Sequence, residues 1–215
     1  MRYSLVRNKY CYLAWIIFLG AICCFLNGSS NAKAHVSQNI AWESILKAFD
    51  EYFNLPSTEN AKKVLIRLPR ERPDTISRDT GQALDYIISA DNYGILILES
   101  MAGDRYSIEI LFRLRNFSDG GFSETLDGTL GNILRINPKL FLDVLLDYLD
   151  TSFIKRCGVP VAFPGYAYDV HPDARRYDLE KRIEALDRIL DPKYAEIKHI
   201  CIKTIREALR TSKSG

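Results

Sequence analysis

The chain has 215 residues, 29 Lys+Arg against 27 Asp+Glu, and 47% hydrophobic residues. That is enough for one domain with a real core. The near-balanced charge removes the electrostatic case for nucleic acid or for an anionic membrane surface as a partner.

Residues 1–34 read as an export signal. Arg2, Arg7 and Lys9 give a basic start, residues 12–26 an apolar run, and Ala32-Lys33-Ala34 a small-x-small cleavage site ahead of His35. The run is shorter than the about 20 residues of a membrane span. An uncleaved signal anchor is the competing reading, because no charge falls between Lys9 and Lys33. Cys23 and Cys24 lack the leucine-led approach of a lipidation site. Cleavage removes four basic residues, which leaves 25 Lys+Arg against 27 Asp+Glu over residues 35–215. The expected product is a single domain in the periplasm or outside the cell, without a membrane anchor.

Cys11, Cys23 and Cys24 leave with the signal, so Cys157 and Cys201 are expected to form a disulfide in an oxidising compartment. The bridge is worth about 4 kcal/mol in the chain-entropy account. The competing reading is two buried thiols, since Cys201 lies on the apolar face of its helix.

Residues 37–53 carry Ala41, Ile45, Ala48, Phe49, Tyr52 and Phe53 at helical spacing. Ser57 or Thr58 caps a second helix with Ala61, Val64, Leu65 and Leu68 inside. The PRERP break at 69–73 permits no helix through Pro73. Residues 75–89 form a third helix with Ile76, Ala83, Leu84, Ile87 and Ile88. The GILILES stretch within 91–102 has strand propensity, but no other strand exists for it to pair with, so a helix is expected. Residues 104–117 follow, with Ile108, Leu111, Phe112 and Arg115 on one side. After a turn at 118–121, a weaker helix over 122–136 contains Gly128 and Gly131. Two glycines three apart on one face let a neighbouring backbone come close; the plain alternative is a loose, short helix.

Residues 137–150, NPKLFLDVLLDYLD, are expected to be the central helix. Asn137 and Pro138 suit its cap and first position. Apolar residues cover most of its girth, and Asp143, Asp147 and Asp150 form a polar stripe. Residues 155–173 have three prolines, two glycines and no helical period, so a long irregular loop is expected, and such loops are often functional. Two helices close the chain. One spans 175–190 with Leu179, Ile183, Leu186 and Leu190 inside. The other spans 193–210 with Ile197, Cys201, Ile205 and Ala208 inside.

The result is an all-α domain of about nine helices. Ile97-Leu98 and Ile133-Leu134 are 36 apart, and each pair precedes a turn and another apolar helix. A helix-turn-helix unit of ~35–40 residues is the size used by α-solenoids. A HEAT- or armadillo-like superhelix is therefore one expected layout, although the consensus signatures of such arrays are absent. An irregular helical bundle is the other.

Few residues suggest chemistry. The stripe Asp143, Asp147, Asp150 reads as a solvated face that a basic neighbour, such as the helix of Arg113 and Arg115, could offset. In the loop, Asp169, His171 and Asp173 alternate, and His199 could join them at a metal, but no C-x-x-C or H-E-x-x-H spacing supports one. No cofactor or metal is therefore expected. Tyr166, Tyr168, Asp169, His171, Arg175 and Arg176, with Tyr177, form the candidate binding patch. There is no G-x-S-x-G and no phosphate-cradling glycine loop. The leading expectation is a non-enzymatic exported protein that binds a protein or peptide. The alternative is an extracytoplasmic hydrolase using residues 157–173 with His171 as base. A structural accessory or inhibitor protein is a third.

Overall fold

A computed structural model describes residues 40–71, 78–118, 120–164 and 172–211. The expected signal and its cleavage site, Ile76, Tyr166, Tyr168, Asp169 and His171 lie outside the described residues. Those described are helical and include no strand, so the chain is all-α.

Helix α1 (Trp42–Asn54) buries Ile45, Ala48, Phe49, Tyr52 and Phe53, as its period requires. Trp42, not Ala41, heads the stripe, and its indole N–H donates to Thr80 Oγ1 at 3.0 Å. Ser57 caps α2 (Thr58–Arg67) by accepting the Asn60 N–H. Helix α3 spans Arg78–Ile87. GILILES lies in α4 (Ala90–Ala102), which Gly103 ends in the left-handed region at φ 96°, a conformation glycine adopts without cost. Asp104 caps α5 (Arg105–Phe117) through the Ser107 N–H at 2.9 Å.

Helix α6 (Gly120–Ile136) begins two residues before the expected start. In α7 (Pro138–Tyr148), Pro138 holds the first position, but the Asn137 side chain makes no capping bond. Thr151 caps a short helix α8 (Ser152–Cys157), so the irregular stretch starts at Gly158 and not at Lys155. Helix α9 (Pro172–Asp187) starts earlier than expected and takes Asp173 into its first turn. A 3₁₀ turn (Pro192–Tyr194), capped by Asp191, leads into α10 (Ala195–Thr211).

Four helix pairs organise the packing. α1 packs on α2, α4 on α5, α6 on α7, and α9 on α10. The first members also pack on one another in order, α1 on α4, α4 on α6 and α6 on α9. The second members do the same, α2 on α5, α5 on α7 and α7 on α10. Helix α3 bridges α1 and α4, and α8 falls between the third and fourth pairs. The spacing of 36 links first members: Ile97 lies in α4 and Ile133 in α6.

Helix α5 meets α2, α4, α6 and α7, and α6 meets α4, α5, α7 and α9; these two, and not α7 as expected, make the most extensive contacts. Helix α5 buries eight side chains, among them Ile108, Ile110, Leu111 and Leu114. Helix α7 buries Phe141, Leu142, Val144, Leu145 and Tyr148, but Leu146 is exposed. Arg113 of α5 ties the second layer together. Its guanidinium donates to the Leu65 and Leu68 carbonyls at the end of α2 (2.5 and 2.6 Å), to the Tyr148 hydroxyl of α7 (2.9 Å) and to Glu109 (2.8 Å). Unpaired carbonyls at a helix end need such donors.

Candidate functional site

Each acid of the expected stripe has a basic neighbour, Asp143 and Asp147 on α7 and Asp150 just past its end. Asp143 accepts from Lys193 Nζ at 3.0 Å and from the Tyr194 hydroxyl at 2.8 Å. Asp147 pairs with Arg105, and Asp150 with Lys155 at 3.7 Å. The offsetting cation does come from α5, but it is Arg105. Arg113 serves helix ends, and Arg115 makes a two-point contact with Asp127 (2.5 and 2.9 Å). Burial raises the pKa of Asp127 despite that arginine. No metal-holding group of His, Cys, Asp and Glu occurs among the described residues.

The expected Cys157–Cys201 disulfide is not formed; both are free thiols. Cys157 ends α8 on the exposed surface, whereas Cys201 is enclosed by the apolar face of α10. Burial pushes the Cys201 thiol up to about 12.

Of the candidate binding patch, the described members are Arg175, Arg176 and Tyr177. Arg176 is exposed and bound to Glu180 at 2.8 Å, the contact that raises its pKa. Arg175 is half-buried, and its Nε has no hydrogen-bond partner among the described residues. Tyr177 is exposed beneath Lys181. His199 lies exposed on α10.

Besides a broader hollow of about 970 Å³ between α1 and α3, the packing assembles a pair of adjoining hollows at the turns of the third and fourth helix pairs. The larger, about 420 Å³, lies between Arg135 and Ile136 of α6, Pro138 and Lys139 of α7, and the segment from Ala185 to Tyr194. The smaller, about 190 Å³, shares Arg135, Ala185 and Arg188 and extends along α9 past Tyr177 and Lys181. The larger is within the size range of a small-ligand site.

Charge in this cleft is uneven. Lys181 is taken up by Glu184 at 2.7 Å, and the Asp191 carboxylate accepts the Lys193 N–H at 3.0 Å. Lys139 and Arg188 have no ion-pair partner among the described residues. Arg135 stands 3.6 Å from Asp178, whose carboxylate is 1% exposed and already holds the wholly buried Arg182 at 2.7 Å. Arg182 in turn donates to the Val161 and Phe163 carbonyls (2.8 and 3.0 Å). A Cβ on Gly131 would come within 1.9 Å of the Arg182 guanidinium. The glycine on α6 therefore admits a side chain, not a neighbouring backbone.

The spacing of α9 held a signal for this buried pair. Asp178 and Arg182 are four apart and share a face with the inward Leu179 and Leu186. Two opposite charges on an otherwise apolar face mark a pair taken inside together.

Comparison with protein-family models, curated proteins and solved structures finds no match to this chain.

Proposed function

We propose that this chain is an exported, non-enzymatic helical protein that binds a protein or peptide partner in the cleft between the turns of its third and fourth helix pairs. The lining carries the reading. Ile136 is 53% and Leu190 87% exposed, beside the cations of Arg135, Lys139 and Arg188. Apolar side chains left in water next to cations, of which Lys139 and Arg188 have no ion-pair partner among the described residues, resemble the core and rim of an interface. Stacked helix pairs are a frequent scaffold for such surfaces. Export rests on residues 1–34. Among the described residues, no helix is long and apolar enough to cross a membrane.

Site-specific photocrosslinking in the native cells tests the reading. A photoreactive phenylalanine at Ile136 is expected to capture a discrete protein that the same probe at Tyr86, exposed on α3, does not. Arg188→Glu should abolish the product. Equal products from both positions, or none from Ile136, would remove the proposal.

A further inference from the structure

We infer that the partner enters the cleft as a peptide segment carrying acidic side chains beside an aliphatic one. This rests on the peptide-binding reading and adds the chemistry of the ligand. The walls contribute Arg135, Lys139, Lys181 and Arg188 against Glu184 and Asp191. Glu184 is already spent on Lys181, and Asp191 on the turn it caps. Asp178 faces two arginines, one of them wholly buried, so it neutralises only part of their charge. The side open to solvent is left with cations at Arg135, Lys139 and Arg188.

Arginine presents a planar fork that matches a carboxylate at two points. Asp178 stands 3.6 Å from Arg135 and 2.7 Å from the buried Arg182, and Arg182 itself sits in the notch left by Gly131. Asp178 is thus an ion-pair neighbour of the cation that faces the cleft. Ile136 and Leu190 at the rim supply an apolar contact that a bare phosphate or a nucleic-acid backbone would leave unused. The chain's balanced charge gives no wider field to attract a polyanion.

The test is fluorescence polarisation with three labelled dodecapeptides of one frame, three leucines and four variable polar positions filled by Glu, Gln or Lys. The full chain should bind the Glu peptide about tenfold or more tightly than the Gln peptide, and the Lys peptide least. Arg135→Gln and Arg188→Gln, both surface changes, should each reduce the Glu preference several-fold, and added salt should do the same. Equal binding of Glu and Gln peptides, abolished by a bulky residue at Ile136, overturns the acidic chemistry while peptide binding survives. No binding of the Glu peptide overturns this inference; crosslinking from Ile136 then decides separately whether the cleft binds any protein. Binding to phosphatidylglycerol vesicles that depends on Arg188 and exceeds peptide binding also overturns it, in favour of a lipid surface.

Discussion

Gly131 shows how one missing side chain sets a local structure. Its hydrogen leaves space for the Arg182 guanidinium, and Arg182 holds Asp178 and two carbonyls of the 158–164 segment. Gly131→Ala must displace that group or break the pair, and loss of one partner of a buried pair costs about 3–5 kcal/mol. Gly94 is the control: it lies in α4 with nothing within 4 Å of an added Cβ. Gly94→Ala should instead raise stability by about 0.5–1 kcal/mol through backbone entropy. Urea melts of both variants check this, and equal small effects would mean the Arg182 notch is not rigid. A second residue-scale prediction concerns the thiols. For the chain from His35 onward, maleimide should label Cys157 in the folded protein, and both cysteines after denaturation without reductant. Fewer than two labels in the denatured protein would restore the disulfide.

At the scale of elements, most helices were legible because their apolar residues recur at the helical period. α1, α2, α5 and α10 follow that pattern almost residue for residue. Helix α9 did not, since Leu190 lies beyond its end in solvent while Asp178 and Arg182 occupy its inner face. The cleft was not legible for a related reason. Its walls come from segments about 50 residues apart, brought together only by packing of α6 on α9 and α7 on α10. The contact of α7 with the 3₁₀ turn allows a pH test. Burial works to raise the Asp143 pKa, but the hydrogen bonds from Tyr194 and Lys193 outweigh it and the net shift is downward. A lowered folded-state value adds stability that is present above the unfolded value of about 3.9 and is lost as pH falls through the folded one. Asp143→Asn should therefore cost about 1–2 kcal/mol at pH 7, and the gap to the parent should close below about pH 4. A gap that persists unchanged at pH 3 would show that the carboxylate charge contributes nothing.

For the whole molecule, the order of packing decides how stability should be distributed. Each of the four pairs meets its neighbours, and the first and last pairs each have only one. In a solenoid stack stability is close to a sum of pair and interface contributions, so ends open before the middle. A compact bundle with one shared core would open as a unit. Helix α5 sits at the junction of the second pair with the first and third, and its buried Ile108, Leu111 and Leu114 should be among the last to exchange. The first pair has one protection against fraying: the Arg113 bonds to the α2 carbonyls and the Tyr52–Ser107 hydroxyl contact at 2.8 Å tie it to α5. The last pair is held by α6, with Arg182 buried against Gly131. Native-state hydrogen exchange is expected to give the highest opening free energies in α5 and α6 and lower ones in α9 and α10. Gly131→Ala should lower protection in α9 and α10 by more than in α1. Uniform protection across all helices, with Gly131→Ala lowering every value equally, would make the molecule a single cooperative bundle and remove the stacked-pair account of its architecture.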